Sequence, residues 1–147
     1  MISNINRRTA VAGLLAGLLA PPLACAQSPE PAAIVRQIFE AYSKDSIPRI
    51  PWSPAVTARM KRADISADPI LNAQDVDVKG FVVREVSGGA DRAVIEVNFT
   101  SFNRKMRSQF DFRLVDGKWL IGNYRILAGV EGTPSDFRKS MGMPPLN

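Results

Sequence analysis

The sequence predicts an α+β domain in which N-terminal helices cover one face of a curved, antiparallel, four-stranded sheet. Two observations carry that prediction. The spacing of apolar residues is helical up to about residue 63 and switches to strict alternation from Val76 onward, and it switches only once. Turn chemistry at Ser87-Gly88-Gly89, at Asn103 to Lys105 and at Asp116-Gly117 then cuts the alternating region into four neighbouring segments joined closely enough to form hairpins.

Ser28 followed by Pro29 is a helix start, and Ile34, Val35, Ile38, Phe39 and Tyr42 fall on one face, so the spacing predicts an amphipathic helix over residues 31 to 44. Residues 45 to 54 hold Pro48, Pro51 and Pro54, each of which removes a backbone donor and biases its predecessor away from helix, so this stretch reads as an ordered loop carrying Trp52. Ser53-Pro54 restarts a helix to about Ala63, with Val56, Met60 and Ala63 inward and Arg59, Lys61 and Arg62 outward.

The strands read as Val78 to Val86, Arg92 to Phe102, Met106 to Val115 and Trp119 to Leu127. In the third, Phe110, Phe112 and Leu114 alternate with Gln109, Asp111 and Arg113, which gives one face to a core and the other to water or a ligand. Asp116-Gly117 is the strongest local signal, because a two-residue hairpin loop wants positive φ and Asp-Gly supplies it. A last helical turn after Thr133-Pro134, including Phe137 and Met141, packs on the sheet. No internal repeat and no low-complexity tract interrupts this order.

Residues 1 to 26 read as a cleaved export signal: Arg7-Arg8, an apolar run from Ala10 to Ala20, and the small-residue stop Ala24-Cys25-Ala26, with cleavage between Ala26 and Gln27. A membrane span needs about 20 apolar residues, and Pro21-Pro22 ends this run short of that. Asn6-Arg7-Arg8-Thr9-Ala10-Val11 resembles a twin-arginine motif, with the general secretory route as the alternative. Lipidation of Cys25 is the weaker reading, because Pro22 stands where a lipobox carries leucine. The expected product, residues 27 to 147, is one periplasmic or secreted domain without a transmembrane span.

The whole chain carries +5; removing Arg7 and Arg8 leaves 17 basic against 14 acidic residues, so the mature form carries +3. With no concentrated basic stripe and an exported destination, nucleic acid is not an expected partner. The mature form has no cysteine and no histidine, so disulfides and the commonest general base are both excluded. Stability must come from packing, and a chain of this size buries roughly 60–70% of its unfolded surface.

The closing hairpin Leu114-Val115-Asp116-Gly117-Lys118-Trp119-Leu120-Ile121, together with the opening helix that ends near Tyr42, resembles the nuclear-transport-factor-2-like cone fold. Asp68-Pro69-Ile70-Leu71-Asn72-Ala73-Gln74-Asp75 is similar to the run before the strands in one exported bacterial branch, the domain of unknown function 3828. The resemblance spans most of residues 31 to 127 and implies a fold and a compartment; the branch has no established activity to carry over. Enzymes with the cone fold place Asp, Tyr or His in the mouth of the cone. Without histidine, an isomerase-like or lyase-like site must draw on Tyr42, Tyr124, Asp68, Asp75, Asp77 and Asp111. Against that, a charged residue alternating with phenylalanines is ordinarily a solvated strand face, and a tyrosine on a helix stripe is ordinarily core.

Asp64, Asp68, Asp75 and Asp77 lack the spacing of a calcium loop, so no metal and no cofactor is expected, and these residues read as turn formers and caps. Arg104, Lys105 and Arg107 form the densest positive cluster, either a surface for an envelope partner or a guard against sheet-to-sheet association. Three functional readings follow. The preferred one is a non-catalytic binding module for a small apolar molecule or an envelope protein, with Tyr42, Trp52, Asp75 and Tyr124 as ligand-facing residues and no catalytic set. The others are a histidine-independent enzyme working through Asp and Tyr, and a partner-inhibiting or immunity-like protein. Homodimerisation through the outer sheet face is compatible with all three.

Overall fold

A computed structural model of the chain describes residues 29–65, 67–71, 75–131 and 133–146. The expected export signal, with Cys25 and the Ala26–Gln27 junction, lies outside the described residues.

The order of elements is helices first and sheet second. Helix α1 runs Pro31–Tyr42 and α2 Pro54–Arg62; strands β1 Val78–Gly88, β2 Arg92–Ser101, β3 Arg104–Val115 and β4 Lys118–Ala128 follow, then the two-residue β5 Ser135–Asp136 and the single-turn α3 Phe137–Ser140. All neighbouring strands are antiparallel and the sheet order is β1-β2-β3-β4-β5, an open meander. The fold is α+β as expected, with five strands in place of four. The added strand is too short for periodicity to reveal, because it pairs only through Arg125 with Asp136 and Ile126 with Ser135.

Helix α1 has proline at its first position and buries Pro31, Ile34, Val35, Ile38, Phe39 and Tyr42, the predicted stripe. It stops two residues earlier than the spacing suggests. Ser43 caps it and Asp45 turns into positive φ, at 54°, which ends the helical hydrogen-bond run. In α2, Ser53 accepts from the Val56 amide and Val56 is buried, whereas Met60 is half-buried and Ala63 is the exposed cap. A nine-residue helix turns only Val56 fully inward, so the predicted inward set of three is reduced to one residue in the core.

The inner sheet face is built from Ala93, Ile95, Val97 and Phe99 of β2, Met106, Phe110 and Phe112 of β3, and Ile121, Tyr124 and Ile126 of β4. Phe39 sits at the centre, with its ring 4.7 Å from Phe99, 5.7 Å from Tyr42 and 6.3 Å from Phe110. Leu114, expected inside, is partly exposed because it lies at the hairpin end of β3, beyond the reach of α1. Four register shifts bend the sheet: at Gly80 and Val86 in β1, and at Gly122 and Leu127 in β4, each strand carries one residue more than its partner. The β3–β4 reversal is the Asp116-Gly117 turn, with φ of 49° and 72°. Among the described residues no helix is long and apolar enough to cross a membrane.

Candidate functional site

Pro48 and Pro51 keep the loop before α2 out of helix, and it turns at Pro51 to dock on the outer edge of β4. The Ile121 amide donates to the Pro51 carbonyl and the Ser53 amide donates to the Ile121 carbonyl, each at 2.8 Å, so Trp52 forms a parallel bridge with Ile121. Further along the same edge β5 pairs with residues 125 and 126, so loop and β5 between them cover the edge that β4 would otherwise expose. The Trp52 ring is fixed by stacking on Phe137, with centroids 5.7 Å apart and planes inclined by 26°.

Between this loop, α1, α2 and the start of β4 lies a cleft of about 840 Å³. Its walls are mainly Ile34, Ile38, Ile50, Trp52, Met60 and Trp119, with Gln37 and Thr57 among the polar contributors and Arg49 and Lys118 as its two charged residues. Both tryptophans of the protein therefore line one cleft. Among the described residues no Asp, Glu, Tyr, Ser or Cys lines it. The volume falls within the roughly 300–1,000 Å³ of small-molecule sites, and the predominance of apolar and aromatic walls is the usual character of such sites.

Of the predicted ligand-facing residues, Trp52 alone lines this cleft. Tyr42 and Tyr124 are fully buried in the core, where they hold the connection between α2 and β1. Tyr42 Oη donates to Asp68 Oδ2 at 2.5 Å, while Asp68 Oδ1 accepts from the Ile70 and Leu71 amides at 2.8 and 3.2 Å. Tyr124 Oη lies 2.7 Å from the Ile70 carbonyl and 2.8 Å from Ser108 Oγ. A carbonyl can only accept, so the single phenolic proton goes to Ile70 and Ser108 donates to the phenol oxygen.

Burial pushes the Tyr42 phenol far above its ordinary range, and the hydrogen bond and charge of Asp68 and the nearby Tyr124 push the same way. Burial also raises Tyr124, partly opposed by Ser108 and reinforced by Asp68. A carboxylate within reach of a tyrosine is the pairing that an isomerase-like site requires, but here both carboxylate oxygens are occupied by the protein's own donors. Neither residue of the pair lines this cleft or the second one described below. Its geometry is that of a latch on the loop.

Asp75 is exposed and has no hydrogen bond among the described residues. Asp77 accepts from the Phe102 amide at 2.9 Å and lies 3.4 Å from Lys79 Nζ, tying the start of β1 to the β2–β3 turn. Arg104, Lys105 and Arg107 are exposed at the beginning of β3, on the hairpin far from the cleft. Among the described residues no cluster of acidic side chains is placed to hold a metal ion.

The opposite sheet face carries a polar network. Glu96 accepts from Arg84 at 2.8 Å, Gln109 at 3.2 Å and Asn98 at 3.5 Å; burial raises its carboxyl, but these donors outweigh that and hold it below the ordinary value. Beside it, Asp111 accepts from Arg125 at 2.6 Å and from Asn123 at 3.3 Å, and Asn123 reaches on to Asp136 at 2.9 Å. The Arg138 amide donates to Asn123 Oδ1 at 3.1 Å, so this second cleft, of about 500 Å³, is where the C-terminal turn is pinned to β4.

Sequence reasoning missed Ile38, Ile50, Trp119, Arg49 and Lys118 as cleft residues. Alternation identifies which strand positions share a face, but only the docking of the proline loop on β4 determines which residues open onto a cavity. No protein-family model, curated protein or solved structure matches the chain. The cleft therefore carries the functional reading on its own geometry.

Proposed function

We propose that the mature chain is an exported, non-catalytic binding module that holds a small apolar molecule in the cleft between α1, the proline loop and the start of β4. The observation that supports this most strongly is the pairing of Trp52 and Trp119 with aliphatic walls around about 840 Å³ of open volume. Catalysis by Asp and Tyr is a poorer fit, because the Asp68–Tyr42 pair is committed to the fold and lines neither of the two clefts described above. On this reading the chain is one of the cone-shaped domains it resembles, with the signal peptide delivering it to the periplasm or beyond.

Native mass spectrometry of the exported mature chain tests the proposal. A species with the mass of residues 27 to 147 plus a small molecule released on denaturation is the expected result. Protein that is ligand-free as isolated, and remains so when incubated with apolar compounds, overturns it.

A further inference from the structure

The charge in the cleft is of one sign: Arg49 and Lys118 line it, and no Asp or Glu does. Neither cation has a hydrogen-bond or ion-pair partner among the described residues. Arg49 belongs to the loop that bridges β4 at Trp52, and Lys118 is the first residue of β4. Both cations thus come from the two segments joined at that bridge, while Ile34, Ile38 and Met60 of α1 and α2 supply apolar wall.

A mainly apolar cleft whose charged lining residues are two unpaired cations is complementary to a molecule that is apolar along its length and negative at its tip. A guanidinium and an ammonium both suit a carboxylate or another oxyanion. Resting on the reading of the cleft as a binding site, we propose that its ligand is a single-chain amphiphile with an anionic head, the chain lying against Trp52, Trp119, Ile38 and Met60 and the head between Arg49 and Lys118.

The two tryptophans are the only ones in the protein and both line the cleft, so intrinsic fluorescence reports on it directly. The mature chain is titrated at pH 7.5, below micelle-forming concentrations, with decanoate, 1-decanol and decyltrimethylammonium. Decanoate is expected to bind tightest and to weaken as salt is added, while decanol is insensitive to salt. In an Arg49→Gln, Lys118→Gln variant, both changes being at exposed positions, decanoate loses about fivefold in affinity and decanol stays within about twofold. Equal binding of all three probes, or an undiminished preference for decanoate in the variant, overturns the anionic-head assignment and leaves the apolar site standing. No saturable response to any of the three overturns both.

Discussion

Tyr42 Oη lies 2.5 Å from Asp68 Oδ2, and through that contact a helix in the first layer holds the loop that crosses to the first strand. The carboxylate is shared: its other oxygen takes two backbone amides of the same loop, at Ile70 and Leu71. Ile70 is fully buried and its carbonyl receives the Tyr124 proton, so both tyrosines of the protein close on one segment.

Removing the carboxylate should therefore cost more than removing the phenol. Asp68→Ala leaves a buried hydroxyl and two amides without an acceptor, and the expected loss is about 2–3 kcal/mol. Tyr42→Phe removes one donor from a carboxylate that keeps two others, and should cost about 1 kcal/mol. Urea unfolding midpoints measure both. A smaller effect for Asp68→Ala than for Tyr42→Phe would contradict the latch.

Alkaline pH should unfold the protein through the same two tyrosines. Their folded-state pKa values are raised above the unfolded value of about 10. Below that pH both states keep the phenolic protons; above it the unfolded chain loses them first. The stabilisation is thus fully present below about pH 10 and is lost as pH rises further, by up to about 1.4 kcal/mol per pH unit for each tyrosine. Phenolate absorbance should appear together with loss of circular dichroism. Normal titration of either tyrosine in a still-folded protein would refute this.

Two glycines separate backbone strain from collision. At Gly117, φ is +72° and an added Cβ meets nothing within 4 Å, so Gly117→Ala should cost only the left-handed penalty of about 1–2 kcal/mol. At Gly129, φ is +112° and a Cβ would collide with Met106 Sδ and lie 2.7 Å from the Lys105 carbonyl oxygen, so Gly129→Ala should cost distinctly more. Thermal denaturation of the two variants ranks them, and equal melting temperatures would contradict the ranking.

Asn123→Ala should loosen the C-terminal turn without loosening the meander. The side chain bonds Asp111, Asp136 and the Arg138 amide at once, and α3 has only one turn of its own. Hydrogen exchange should accelerate at residues 137 to 141 and stay slow across the β2–β3 ladder. Unchanged exchange in the turn would show that Arg138, which also donates to the carbonyls of Gly122 and Pro144, holds it unaided.

The elements with a long periodic signal were legible in the sequence: the α1 stripe from Ile34 to Tyr42, the alternation in β2 and β3, and the Asp116-Gly117 turn all depend on local rules. What was not legible depends on non-local docking. Ser135–Asp136 becomes a strand only because the β4 edge is free beside it, and Trp52 becomes a cleft wall only because Pro51 and Ser53 bond Ile121. Tyr42 and Tyr124 are polar-tipped residues that sequence reasoning offers both as core and as ligand-facing, and it does not supply the partners that decide. The deciding partners, Asp68 and Ser108, lie 26 and 16 residues away in the chain.

The central claim concerns the cleft, and its most direct test is an NMR titration of residues 27 to 147 with 1-decanol, a neutral apolar probe. The indole N–H signals of Trp52 and Trp119 and the amides of Ile34 and Ile38 should shift saturably together, while those of Asn123 and Arg125 in the second cleft remain in place. Shifts confined to the second cleft, or none at saturating probe, would contradict the account.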